Sequence, residues 1–146
     1  MSRPEYESSD SEIADILASA RVIALVGASD KPTRPSHGVM GFLLSQGYHV
    51  IPVNPVLAGQ EIHGQTVVAT LADIKGPIDI VDIFRNSKDA ADAVNQAIEV
   101  AAGAVWMQLG VVNEHAARAA HDAGLGVVMD RCPAIEIPRL GINPVH

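Results

Sequence analysis

The chain has 146 residues, 48% hydrophobic and 18% charged, which suits one folded domain and is too apolar for a disordered chain. Aromatic residues make up only 3%, so the core has to be built from Ala, Val, Ile and Leu. Ten Lys and Arg against 17 Asp and Glu leave a net charge of -7, a surface that repels phosphate backbones and anionic membranes and argues against general nucleic-acid binding.

The single cysteine, Cys132, excludes an internal disulfide and a four-cysteine zinc site. No apolar run reaches the roughly 18 residues a membrane span needs, and the first ten residues are polar and acidic, unlike a signal peptide. These features predict a soluble, cytoplasmic, single-domain protein.

Residues 1–8 read as a disordered tail, with the domain running over 9–146. Ser9 and Glu12 have the spacing of a capping box, and Ile13, Ile16, Leu17 and Ala20 follow at helical period. Residues 22–26 form a continuous branched run, the pattern of a strand buried on both faces. A loop with Pro32 and Pro35 follows, and Ser36 is placed to cap a helix to about Gln46. The second strand covers 48–53, with Pro52 unable to donate a ladder bond.

Residues 54–71 are irregular, with a short helix expected around Leu71. A third strand spans 78–84, and Ser87 stands where it could cap a helix to about Ala102. The fourth strand spans 104–109. Asn113 caps a helix that Gly124 stops, a fifth strand spans 126–130, and residues 132–146, with three prolines, read as an extended tail. Strands and helices alternate, and the strands are apolar runs. The fold class that follows is α/β: a Rossmann-like, doubly wound, five-stranded parallel sheet of order 3-2-1-4-5 in a single domain.

Ligands of such sheets bind outside the carboxyl ends of the strands, where strand order reverses. The loop after the first strand carries Lys31 and Arg34 ahead of a helix N-terminus, and cations, free N–H groups and a helix dipole together make an anion site. A dinucleotide fingerprint is absent. The loop runs from Gly27 through Ala28 and Ser29 to Pro35, Ser36, His37 and Gly38, without the G-x-G-x-x-G spacing, and two prolines oppose its tight turn. Asn54 and Pro55 also stand where NAD-binding sheets place an acidic residue for the ribose, so NAD and NADP are not the expected cofactors.

Several motifs, in order, carry a resemblance: Val26-Gly27-Ala28-Ser29 with Arg34-Pro35-Ser36; Val50 to Pro55, read Val-Ile-Pro-Val-Asn-Pro; Asp82-Ile83-Phe84-Arg85; Gln108-Leu109-Gly110; and Asp130-Arg131-Cys132. Over roughly residues 12–140 the chain resembles the small stand-alone CoA-binding proteins, themselves similar to the N-terminal CoA-binding domain of the succinyl-CoA ligase alpha subunit. The resemblance implies that residues 27–36, Lys31 among them, hold the phosphates of coenzyme A. Val53, Asn54, Pro55, Phe84, Arg85, Met107, Gln108 and Leu109, with Gly110 beside them, would line the nucleotide and the start of the pantetheine. Val56 stands where such proteins often carry a cation. The ligase's phosphorylated histidine belongs to a second domain without a counterpart in these residues, so ligase activity is not implied.

No other constellation competes with this site. His115 and His121 are six apart on one helix and do not share a face, and His49, His63 and His146 lack a partner at ligand spacing, so capping or surface roles outweigh a metal. His37 opens the helix after the anion loop and could donate to a phosphate. Cys132 follows Arg131, which favours a thiolate able to form a mixed disulfide with the CoA thiol, although a packed thiol is the plainer reading. Asp79 and Asp82 read as structural or edge charges, and Glu136 as a partner for Arg131 or Arg139.

No Ser-His-Asp order, nucleophile elbow or Walker loop is present, and no catalytic constellation stands out. The expected function is binding of CoA or an acyl-CoA by a non-catalytic carrier or sensor, with a homo-oligomer or a partner subunit left open. The alternatives are an enzyme acting on a nucleotide or acyl-CoA, and an interaction module that has lost its ligand.

Overall fold

The computed structural model describes residues 4–145. Five parallel strands form one sheet: β1 (Val22–Val26), β2 (His49–Val53), β5 (Ile80–Ile83), β6 (Ala104–Met107) and β7 (Gly126–Val128). Two two-residue strands, β3 (Glu61–Ile62) and β4 (Gln65–Thr66), form a separate antiparallel hairpin. Helices α1 (Asp10–Ser19), α2 (Pro35–Ser45) and α5 (Pro133–Arg139) cover one face of the sheet. The other face is covered by α3 (Ala90–Glu99) and α4 (Glu114–Asp122), with a 3-10 turn over Leu71–Asp73 at its margin.

Alternation along the strands divides the core in two. Ala24, Val81, Val105 and Val127 point to the α3/α4 side, and Ile23, Leu25, Ile80, Trp106 and Val128 to the side of α1, α2 and α5. Small residues carry the helical side of the first layer: Ala90, Ala93, Ala97, Ala116, Ala117 and Ala120 are all buried. This is the aliphatic core that the low aromatic content requires.

The sheet is the expected α/β arrangement, but its strand order is β2-β1-β5-β6-β7. Counted over the five long strands this is 2-1-3-4-5, and it corrects the expected 3-2-1-4-5. The third long strand pairs with the first, with Leu25 opposite Asp82, and leaves the second at the edge. Pro52 supplies the physical reason. Its carbonyl accepts from Val68 N at 3.0 Å on the outer side of β2, in a single-residue bridge that Asn54 N closes by donating to Val68 O. The nitrogen of a strand residue faces the same side as its carbonyl, so the ring nitrogen of Pro52 faces outward, where no ladder bond is needed. A proline inside a central strand would have left a gap in the ladder.

Several local expectations hold. Ser9 and Glu12 form a capping box on α1, Asn113 Oδ1 accepts from Ala116 N at the start of α4, and Glu136 pairs with both Arg131 and Arg139. Asp79 is structural, its carboxylate accepting from the backbone N–H groups of Arg21 and Val22 at 2.9 Å each.

Other expectations are corrected. Residues 133–139 are helical rather than extended, because Pro133 sits in the first turn, where no N–H is required, and Ile137 buries against α2 and α1. His146 and residues 1–3 lie outside the described residues. Residues 4–8 are not a loose tail: Tyr6 is buried in the α3/α4 core, and Ser8 Oγ donates to Val127 O along the outer edge of β7. Ser36 lies inside α2 rather than capping it. Ser87 is not the cap of α3; its hydroxyl instead bridges to Gly110 O and Val112 N. Asp82 is no edge charge, since β5 is the central strand and the side chain is buried.

Candidate functional site

The crossovers leave β1 and β5 adjacent while their following helices, α2 and α3, pass to opposite faces, so the reversal of strand order falls between them. A cleft of about 430 Å³ opens at this point, at the carboxyl edge on the α2 side.

Its floor is the turn after β1. Gly27 N donates to Val53 O at 3.0 Å, and the chain then passes over the end of β5. Gly27 has φ +87°, and a Cβ built there would stand 2.2 Å from Phe84 O. Only glycine allows both the backbone conformation and the close approach. Asn54 fixes the opposite wall: its side-chain amide donates to Ala28 O at 2.8 Å, and its Oδ1 accepts from Val56 N at 2.8 Å. The residue standing where NAD sheets carry an acid is thus the clamp that ties the two loops together.

The electrostatics come from α2 and the loop before it. Arg34 is the N-cap residue and makes no side-chain cap, and Pro35 occupies the first helical position, so the helix N-terminus is open toward the cleft. Lys31 and Arg34 both line it, as do Ser29 and the buried Ser36. The positive end of an eleven-residue helix and two cations converge on one surface. Asp30 lines the same cleft and is exposed.

Of the residues expected at the site, Gly27, Ala28, Ser29, Lys31, Arg34, Pro35, Ser36, Asn54 and Phe84 are brought together in this cleft. The others are placed elsewhere. His37 turns toward the β3–β4 hairpin, its ring 4.1 Å from that of His63 and its carbonyl 2.8 Å from His63 Nε2. Arg85 Nη2 lies 3.6 Å from the Asp89 carboxylate. Val53 is buried and contributes its carbonyl, while Pro55 is exposed beside the lip.

Met107 is a correction. Paired with Ile83 on β6, it points into the α3/α4 core and is fully buried, so its side chain cannot line the cleft. Leu109 and Gly110 form a turn farther along the edge, held by Asp130 Oδ1 accepting from Gly110 N at 2.8 Å. Val56, which the resemblance places where such proteins often carry a cation, does line the cleft, and so does Leu57, which was not expected there; its position just after the Asn54-Pro55 pair is the signal that could have marked it.

On the α2 side of the sheet, as Phe84 is, the Asp82 carboxyl and Gln108 Oε1 are buried without a hydrogen-bond partner among the described residues. Burial pushes the Asp82 carboxyl well above the usual carboxylate range. Cys132 is buried at the start of α5. No group of three His, Cys, Asp or Glu among the described residues is placed to hold a metal ion, and no helix among them is long and apolar enough to cross a membrane.

Residues 21–138 match the profile of a family described as CoA binding domain. The chain belongs to that family. The match covers every element of the sheet and the cleft at its edge, from the residue before β1 to the last turn of α5.

Family membership is accompanied by close full-length relatives. The chain is 41% identical over 124 residues to the uncharacterized protein YneT of Bacillus subtilis (strain 168), covering 85% of this chain and 90% of that one. It superposes on a hypothetical protein from Pyrococcus horikoshii OT3 with a TM-score of 0.88 at 40% identity, covering 96% of this chain and 97% of the other. The same fold also recurs inside a larger enzyme. The apo dinucleotide-forming acetyl-coenzyme A synthetase 1 of Ca. Korarchaeum cryptofilum matches 80% of this chain with 27% of its own, at a TM-score of 0.69 and 22% identity, a likeness of fold.

Proposed function

We propose that this protein binds coenzyme A, or an acyl thioester of it, as a non-catalytic module, with the diphosphate held by residues 27–36. The observation that carries the reading is the open N-terminus of α2 facing a cleft that also holds Lys31 and Arg34. In a chain of net charge -7, two cations and a helix N-terminus gathered at the sheet's reversal point fit an anionic ligand.

The residues present fit the phosphate-bearing part of CoA. Gly27 lets the backbone pass close beneath the ligand, since any side chain there would collide with Phe84 O. Asn54 holds the nucleotide-side loop by its amide and leaves no carboxylate to bind ribose hydroxyls, which separates this site from a nicotinamide-dinucleotide site. Arg85 is partly exposed, with its Cδ beside Gly27 and its guanidinium turned to Asp89. Val56 stands 85% exposed at the lip and offers an apolar contact where a cation would have met a further phosphate.

The test is thermal unfolding with CoA, dephospho-CoA, NAD and ATP at matched concentration. A ligand at about 100 times its Kd adds about 2.7 kcal/mol, which raises the Tm of a domain this size by roughly 5–10 °C. The expected result is a rise with CoA and none with NAD. Absence of a rise with CoA at millimolar concentration overturns the reading.

A further inference from the structure

The large apolar side chains that remain exposed all follow the carboxyl ends of strands. Among the described residues they are Val56, Leu109, Val112 and Ile135, at 85%, 53%, 44% and 51% exposure. Val56 follows β2, Leu109 and Val112 follow β6, and Ile135 lies in the first turn of α5, directly after β7. All four therefore stand at the carboxyl edge of the sheet, the edge that carries the cleft. Isolated exposed apolar residues are ordinary, and Val56 stands alone beyond β2; Leu109, Val112 and Ile135 follow the adjacent strands β6 and β7, and such a grouping marks a contact surface.

The loops that bear these residues are fastened. Ser87 Oγ accepts from Val112 N at 2.9 Å, and Asp130 Oδ1 accepts from Gly110 N at 2.8 Å, with Asp130 itself at φ +60°. Leu109 occupies the outer corner of a turn closed by Val111 N donating to Gln108 O at 2.8 Å. Leu109 and Val112 are thus held outward by a braced backbone and are not free to fold inward.

Distance connects this patch to the cleft. The step from β1, where the phosphate loop begins, to β7 is three strand spacings, about 14 Å. The arm of CoA between its diphosphate and its sulfur is about as long as four extended residues, roughly 14 Å. An arm laid along the edge from residues 27–36 past Phe84 covers the two spacings, about 10 Å, to β6, which Leu109 and Val112 follow, and the third to β7, which Ile135 follows.

We infer that the ligand is an acyl-CoA with an apolar acyl chain, and that Leu109, Val112 and Ile135 are the surface on which that chain lies. This rests on the CoA reading above and adds the substrate class to it. A ligand with an anionic head and an apolar tail matches an edge whose β1 end is cationic and whose β6–β7 end is aliphatic. An acyl chain of six to eight carbons laid over the three side chains would take its methylenes out of water.

The test is isothermal titration of the full chain with CoA, acetyl-CoA and octanoyl-CoA, run on the wild type and on a Val112→Ser, Ile135→Ser double variant, with sedimentation velocity on both unliganded proteins. The expected result is octanoyl-CoA binding at least tenfold tighter than CoA to the wild type, a gap that shrinks to within about threefold in the variant while CoA affinity is retained. Both residues are exposed, so unchanged thermal unfolding of the unliganded variant establishes that it folds. Equal affinity of the wild type for CoA and octanoyl-CoA overturns the inference and leaves the CoA reading standing. So does a chain-length gain that the double variant keeps. A wild-type dimer that the substitutions dissociate assigns the patch to a second copy and overturns it as well. No binding of any of the three ligands removes the CoA reading together with the inference.

Discussion

The side-chain amide of Asn54 donates to the carbonyl oxygen of Ala28 at 2.8 Å, joining the loop after β2 to the loop after β1 across 26 residues of sequence. Because Oδ1 of the same side chain accepts from Val56 N, one residue holds both walls of the cleft. The clamp keeps Gly27 and Ala28 over the ends of β1 and β5, where the ligand's anion would meet the N-terminus of α2.

Replacing Asn54 by Ala removes two hydrogen bonds, each contributing about 1 kcal/mol net. The expected outcome is a Tm lower by roughly 4–8 °C and weaker CoA binding, measured by thermal unfolding and titration. Asn54→Asp should be no better, since a carboxylate oxygen would then face Ala28 O in place of the donor. An Asp variant as stable as the wild type would show that the clamp is dispensable.

Gly27→Ala tests the close approach. Its positive φ alone costs of order 1–3 kcal/mol for a residue with a Cβ, and the new atom would also meet Phe84 O at 2.2 Å. The variant is expected to lose about 2 kcal/mol or more of stability and to bind CoA poorly, because the turn must lift away from β5. Denaturant midpoints measure the first effect. Wild-type values for both properties would contradict the geometry.

The fold also carries an ionisation penalty at Asp82. Burial raises its pKa in the folded protein above the unfolded carboxylate value, so the folded state holds the proton more tightly. The favourable contribution is fully present below about pH 4, the unfolded value, and is lost as pH rises toward and through the folded value. Over that window stability falls by up to about 1.4 kcal/mol per pH unit. Asp82→Asn removes the titrating group. Its Tm should exceed that of the wild type at pH 8, with the difference shrinking toward pH 5. A difference independent of pH would show that Asp82 is ionised at no such cost.

Arg34 is exposed and its side chain caps nothing, so Arg34→Ala should leave the Tm of the unliganded protein within error. Loss of one charge-assisted contact to a phosphate should weaken CoA binding roughly tenfold or more. Lys31→Ala should act in the same direction, and raising the salt concentration should weaken wild-type binding more than that of a Lys31→Ala, Arg34→Ala double variant. Titration at two ionic strengths measures this. Unchanged affinity in Arg34→Ala would remove the phosphate from this loop.

Much of the fold was legible because its signals are local. The Ser9–Glu12 capping box, the Asn113 cap and the largely branched runs at 22–26 and 78–84 each depend on a few neighbouring residues, and each is present in the structure, the last as β5. The cleft was legible for the same reason, since the loop after β1 and the start of α2 are contiguous. The extended tail failed because Pro133 and Pro138 read as breakers. At the first turn Pro133 is compatible with a helix, and Ile137 gains more from burial than the local pattern shows.

By itself, the sequence determined the alternation of strands and helices, the aliphatic core, and the place where cations meet a helix N-terminus. Tertiary structure alone decided the partners across distance: β5 beside β1, the hairpin carrying His63 to His37, Tyr6 folded onto the α3/α4 core, and Asp82 buried in the central strand. The physical reason is that capping and periodicity act within a few residues, while strand order depends on which backbone groups are left to pair once the chain returns. Pro52 is where the two levels meet. Its missing N–H is written in the sequence, but only the bridge to Val68 shows that it marks an edge.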